Sequence, residues 1–164
     1  MKLHNTILLV AVVMLSKVAI AENNAPDSAA FSYDQTRLAT AKPWTSQEFQ
    51  NDPAEFQFVI IGDRTGGANV EETFKLAIDQ LNLLQPEFVI NVGDTIEGYS
   101  DDKAELNAEW DEVDAMLAEL DMPFFRVPGN HDIANKVAQE VWRERHGATY
   151  YHFVYNDTLF LVLD

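Results

Sequence analysis

Three short apolar runs in the middle of the chain each end in a glycine step followed by a side chain bearing oxygen or nitrogen, and this repetition constrains the fold more than any other feature. Phe56 to Ile61 leads into Gly62-Asp63, Glu87 to Val92 into Gly93-Asp94, and Met122 to Arg126 into Val127-Pro128-Gly129-Asn130-His131-Asp132. Short, almost continuously apolar runs suit central parallel strands covered on both faces. The strands read as Phe56 to Ile61, Phe88 to Val92 and Pro123 to Val127. Between the first two, Asn69 with Glu72 three residues later predicts a helix N-cap pair, and Val70, Phe74, Ala77, Ile78, Leu81 and Leu84 recur at helical spacing. A second helix starts at Asp101 or Asp102, with Leu106, Trp110, Val113, Leu117 and Leu120 as its apolar face and its many acids turned to solvent. A third spans about Ile133 to His146 and stops at Gly147. Tyr150 to Tyr155 and Thr158 to Asp164 then read as two strands around the turn Asn156-Asp157. Asn156-Asp157-Thr158 also matches a glycosylation acceptor, but a tight turn explains it better. The chain is therefore α/β, a β-α-β-α-β pattern running into a hairpin. In such a sheet the crevice outside the carboxyl ends of the strands receives ligands and metals, so the three tips should converge on one site.

The amino terminus reads as an export signal. Lys2 precedes the unbroken apolar run Ile7 to Leu15, and Ala19-Ile20-Ala21 supplies small residues at a cleavage point. The run is about half the roughly 20 residues a bilayer span needs. Cleavage after Ala21 would remove Lys2 and Lys17 and no acid, taking the formal net charge from −16 to −18. A chain this acidic repels polyanions, which makes nucleic acid an unlikely partner. Residues 1–21 are thus expected to be a signal peptide, the mature chain periplasmic or secreted, and no membrane contact to persist after cleavage. The chain has no cysteine, so it has no disulfide framework and any metal must take oxygen and nitrogen ligands. Residues 22–55, with Pro26, Pro43 and Pro53 and little periodicity, form an amino-terminal leader that crosses or caps the domain, with Phe31, Tyr33, Trp44 and Phe49 as packing residues. Residues 56–164 carry the alternating elements.

Asp63, Asp94 and Asn130 are hard or borderline oxygen donors, and with imidazoles they suit divalent Mn, Fe or Zn. A carboxylate at the middle tip can place one oxygen on each of two cations, which makes Asp94 the natural bridge. Two cations about 3.5–4 Å apart can clamp a phosphate, sharpen a bound water into hydroxide and stabilise both attacking and leaving oxygens. Each residue also has a plainer reading. Asp63 and Asp94 suit any turn after a strand, Asn130 or Asp132 could cap the third helix, and His131 could be a partly buried packing residue. Their recurrence at successive strand ends favours the metal site.

With these motifs the chain resembles the calcineurin-like metallophosphoesterases, whose signature is Asp-x-His, then Gly-Asp, then Gly-Asn-His-Asp or Glu at such strand tips. The resemblance covers about Phe56 to Asp164, and Gly129-Asn130-His131-Asp132 is its most specific part. It implies a four-layer α/β/β/α sandwich and a dinuclear centre of two divalent metal ions. It also implies that Asp63 ligates one metal, Asp94 bridges, Asn130 ligates the other, and His131 contacts the phosphate of a small phosphoester substrate. His131 could give a proton to the leaving group, because imidazole titrates near working pH.

Two departures stand out. Thr65 occupies the place of a histidine ligand in Asp63-Arg64-Thr65, and a neutral hydroxyl is a poorer donor than imidazole. Arg64 beside it is read either as a bidentate holder of substrate phosphate or as a solvent-facing loop residue. The family's later histidines, including a Gly-His-x-His segment, are absent, since His146 ends a helix and His152 lies within a strand. The resemblance then implies an amino-terminal portion that is incomplete at its carboxyl end and, as 164 residues alone, inactive. The leading function is an exported metal-dependent phosphoesterase. The alternative is a non-catalytic acidic binding module that retains the fold. A third reading, an open-sheet domain in which Thr65-Gly66-Gly67 cradles a phosphate, lacks the Gly-rich patterns of known phosphate loops.

Overall fold

The computed structural model describes residues 30–49, 55–67 and 70–164, so the signal peptide and the Asn69 cap lie outside the described residues. Chain order is β1 (Phe31–Tyr33), β2 (Phe58–Ile61), α1 (Val70–Leu84), β3 (Phe88–Asn91), α2 (Lys103–Leu117), β4 (Phe124–Phe125), α3 (Lys136–His146), β5 (Tyr151–Tyr155) and β6 (Thr158–Val162). They form a parallel sheet in the order β2-β3-β4 and an antiparallel sheet in the order β1-β5-β6.

Alternation along the parallel strands divides the apolar residues between two cores. Val89 and Phe124 join Phe74, Ile78 and Leu81 of α1, Trp110 and Leu117 of α2, and Trp142 of α3 in one core. Phe88, Ile90 and Phe125 face the other way, onto Tyr151, Phe153 and Tyr155 of β5. Helices, parallel sheet and antiparallel sheet are thus three successive layers. A second helical layer, which the resemblance implied outside the antiparallel sheet, is not formed among the described residues. The second core is built mainly of aromatic rings: Phe153 stacks on Phe125 at 4.2 Å and on Phe160 at 4.7 Å, and Phe88 lies over Phe58 at 5.4 Å.

The leader is more than a cap. Phe31–Tyr33, unmarked by periodicity in the sequence, adds a strand to β5. Trp44 then bridges Phe125, with Thr45 N–H on the Phe124 carbonyl at 3.1 Å and Arg126 N–H on the Pro43 carbonyl at 2.7 Å. That segment takes the free edge of β4, and the expected strand at 123–127 pairs with β3 only at Phe124 and Phe125. Phe31, Tyr33, Trp44 and Phe49 all pack against the second core, as their composition suggested.

Helix boundaries show where local signals were outcompeted. Asp102 caps α2 through its side chain, which accepts Ala104 N–H at 2.8 Å. Leu106, Trp110, Val113 and Leu117 are fully buried as expected, and Leu120 is buried just beyond the helix. The acids of α2 do not all face solvent, since Glu109, Asp111, Glu112 and Asp114 bind groups on other elements. α3 begins at Lys136 rather than Ile133, capped by Asn135 on Ala138 N–H at 2.9 Å, so neither Asn130 nor Asp132 is its cap. Leu84, the last residue of α1, is 71 % exposed and leaves the apolar face predicted for that helix. Between β5 and β6, Asn156 and Asp157 have φ of 40° and 58°, as a two-residue type I′ turn requires.

Removing the aromatic ring at the centre of the second core should cost what a large buried cavity costs. Phe153→Ala is expected to lower stability by about 3–5 kcal/mol, whereas Leu161→Ser on the exposed face of β6 should change it by no more than about 0.5 kcal/mol. Urea titrations followed by circular dichroism check both, and equal losses would mean that the aromatic layer does not hold the sheets together.

Candidate functional site

The carboxyl ends of β2, β3 and β4 meet. Past β2, Asp63 N–H reaches the Gly93 carbonyl at 3.3 Å and Arg64 N–H the Asp94 carbonyl at 3.1 Å. Past β4, His131 N–H donates to Asp94 Oδ1 at 3.0 Å. Asp94 therefore touches both neighbouring tips. Glycine makes this approach possible: a Cβ on Gly129 would lie 2.2 Å from Asp94 Oδ1, and one on Gly93 would lie 2.6 Å from Gly129 Cα. Asp63 and Asp94 sit in the left-handed region at φ of 49° and 55°. Aspartate tolerates that region better than most residues, and such strain concentrates at functional sites.

A buried carboxylate fixes the tips. Asp132 is fully buried and accepts Thr95 N–H at 2.8 Å and Ile96 N–H at 3.1 Å through Oδ1, and Gly129 N–H at 2.8 Å through Oδ2. Burial pushes its carboxyl up to about 6 against the pull of those three bonds, and the nearby Asp94 charge raises it further. Asn91, at the end of β3, accepts Gly93 N–H at 2.5 Å and Thr95 Oγ1–H at 3.4 Å, closing the turn that carries Asp94.

The loop after Asp94 holds the other two predicted residues. Asn130 Nδ2 donates to Tyr99 Oη at 2.6 Å, which leaves the amide oxygen of Asn130 for another partner. His131 Nδ1 lies 2.7 Å from the Glu97 carbonyl, and Tyr99 sits edge-on to the imidazole at 4.5 Å. A carbonyl only accepts, so the neutral ring carries its proton on Nδ1 and keeps the Nε2 lone pair. Gly98 follows the curve of the His131 backbone so closely that a Cβ there would lie 2.1 Å from the His131 carbonyl oxygen.

Arg64 departs from the solvent-facing expectation. Its side chain is only 8 % exposed, its Nη2 pairs with Glu112, its Nη1 donates to the Thr95 carbonyl at 3.3 Å, and the guanidinium lies over Phe74. It is not solvent-facing, and its Nε has no partner among the described residues. The Thr65-Gly66-Gly67 loop is also engaged, since Gly66 N–H donates to Glu97 Oε1 at 3.2 Å. A carboxylate on that amide opposes its use as a phosphate cradle.

Asp63 and Asn130 are exposed and Asp94 and His131 half-buried, so the donors are accessible. Two carboxylates, an amide oxygen and the Thr65 hydroxyl form an oxygen-rich set suited to hard or borderline divalent cations. Among the described residues no three His, Asp or Glu side chains come together at metal-binding range. Sequence reading missed Tyr99, Glu97 and Asn91, whose only signal was a place beside Gly93-Asp94, and gave Asp132 the wrong partner.

The family model for calcineurin-like phosphoesterases matches residues 56–162, about two thirds of the chain. No curated protein and no solved structure matches.

The clamp can be tested alone. Asp132→Ala leaves three buried N–H groups without an acceptor and should cost about 2–4 kcal/mol, a fall in Tm on the order of 10 °C. Hydrogen exchange of the Thr95, Ile96 and Gly129 amides should accelerate more than that of the β3 amides. Unchanged exchange at those three amides would remove Asp132 from this role.

Proposed function

The chain belongs to the calcineurin-like phosphoesterase family, and we propose that it is an exported hydrolase of small phosphoesters that works with two divalent cations held at the three strand tips. The family supports metal-dependent phosphoester hydrolysis. One observation carries the residue assignment: Asp94 lies in direct contact with the tips on both sides, through its own carbonyl to Arg64 and its carboxylate to His131. Asp63 would hold one cation, Asp94 both, and Asn130 the second through its amide oxygen.

When bound, Mn, Fe or Zn ions supply an activated water and neutralise charge on the phosphoryl oxygens. The remaining work belongs to the chain. The Glu97 carbonyl holds the Nδ1–H of His131 and Tyr99 fixes its ring plane, so Nε2 is the atom free to face a phosphate oxygen, and in the imidazolium form its N–H would donate the proton that the leaving group takes. Tyr99 also orients the Asn130 amide, and Arg64 ties the Asp63 loop to α2 through Glu112. The Asp94 charge raising Asp132 adds to the case for a cation, which would relieve that repulsion. Export rests on the signal-like residues 1–21, and the chain's acidity disfavours polyanionic substrates. No helix among the described residues is long and apolar enough to cross a membrane. The reading as a non-catalytic module is favoured by Thr65 at a ligand position, and metal dependence separates the two.

Asp94→Ala should lower Mn binding by at least about tenfold in calorimetry while far-ultraviolet circular dichroism keeps its shape, since about 1.4 kcal/mol of lost ligation suffices for that change. Wild-type affinity in the variant would sink the bridging role.

In any form of the enzyme that carries these residues and turns over an aryl phosphate, His131→Ala should reduce turnover by roughly 10²–10⁴-fold with little change in metal content. A variant that keeps full turnover, or that loses metal together with activity, would make His131 something other than the proton carrier.

A further inference from the structure

An aromatic ring stands in solvent beside the strand tips. Tyr99 is 61 % exposed, yet the backbone on both sides of it is tied down. Gly98 N–H donates to Glu109 Oε2 of α2 at 2.9 Å, and the Ser100 carbonyl accepts Nδ2 of Asn135, the cap of α3, at 2.8 Å. Two helices therefore hold the ends of a three-residue span with Tyr99 at its middle. The backbone there is also strained, since Tyr99 has a φ of 60°, in the left-handed region that a bulky side chain disfavours. Asparagine or glycine would adopt it at less cost. An outlier of this kind beside a site is a reason to look for a task that the side chain performs there.

The side chain is aimed as firmly as the backbone. Its Oη accepts Asn130 Nδ2 at 2.6 Å, and its ring meets the His131 imidazole at 4.5 Å with the two planes at 62°. Among the described residues that imidazole is its only ring neighbour. Hydrophobic stabilisation follows the apolar area removed from water, so a ring left this open contributes little of it to the fold. It stands instead against the two residues that Proposed function sets at the metal and the phosphate. A leaving group that takes its proton from His131 Nε2 departs within reach of the Tyr99 ring.

We propose that Tyr99 selects the leaving group: its uncovered ring packs on an aromatic group esterified to the phosphate, so that aryl phosphoesters are favoured over alkyl ones. The inference rests on the phosphoesterase reading and adds the substrate class to it. Two aromatic rings in offset or edge-on contact attract each other beyond the area they bury, through their quadrupoles, and a saturated chain lacks that attraction. A ring already held by Asn130 and His131 gives up little freedom when it is covered.

Calorimetric titration of the Mn-loaded chain with phenylphosphonate and with methylphosphonate tests this without turnover. The readout is the ratio of the two dissociation constants, because any change in metal loading affects both ligands alike and cancels. Tyr99→Phe keeps the ring and should hold the wild-type ratio within about twofold, while Tyr99→Asn, which suits the left-handed backbone, should move it about 3- to 10-fold toward methylphosphonate. A purely structural Tyr99 would weaken both ligands equally and leave the ratio where it was. An unchanged ratio in Tyr99→Asn, or a ratio lost equally in Tyr99→Phe, overturns the inference and leaves the phosphoesterase reading standing. Failure of both phosphonates to bind the wild-type chain overturns the two together.

Discussion

The site depends on one buried carboxylate. Asp132 has exchanged water for three backbone N–H donors, two from the segment after Asp94 and one from Gly129. Charge-assisted bonds of this kind are roughly twice as strong as neutral ones, and a buried carboxylate without them would be far more costly. By holding both segments on one side chain, Asp132 presses Gly129 against Asp94 at a distance no Cβ permits. The contact of His131 N–H with Asp94, and the place of Asn130 beside Tyr99, follow from that closure.

The tips are held from below by the two cores. A left-handed aspartate costs on the order of 1–2 kcal/mol, and two occur at Asp63 and Asp94. Strain of that size persists only where neighbouring structure leaves no alternative. Phe88 and Phe125 send their rings into the aromatic layer while Val89 and Phe124 point at the helices, so β3 and β4 are pinned on both faces. The leader completes this arrangement by pairing β1 with β5 and bridging Trp44 to Phe125.

What the sequence revealed and what it concealed divide along a physical line. Strand tips were legible because apolar runs followed by Gly-Asp combine two local signals, and the buried face of α2 because four apolar residues share one stripe. β1 was illegible, as three residues carry no period and its pairing partner lies over a hundred positions away. The start of α3 was misread because Asp132 and Asn135 are both good caps, and only tertiary structure shows that the Asp132 carboxylate is already committed. The same limit applies to the site. Asp63, Asp94, Asn130 and His131 could be named from spacing, whereas Tyr99, Glu97 and Asn91 act through contacts that spacing does not encode. Arg64 looked like a loop residue because its partner, Glu112, sits on the next helix but one in sequence order from its strand.

That pair points to a wider role for α2. Its acids, which composition alone assigns to solvent, neutralise arginines from elsewhere: Glu112 meets Arg64 beside the strand tips, while Asp114 meets Arg126 after β4 and Arg145 of α3. Glu109 adds a bond to Gly98 N–H at 2.9 Å, on the loop that wraps His131. Exposed ion pairs contribute little by themselves. Here the two partners differ, since Glu112 is half exposed while the Arg64 and Arg126 side chains are only 8 % and 6 % exposed. Removing an acid would strand a buried guanidinium, and that cost exceeds what the pair contributes when made. One helix thus uses a single sign of charge to anchor the loop of Asp63, the loop of His131 and the end of β4, which is why so acidic a surface is compatible with two buried arginines.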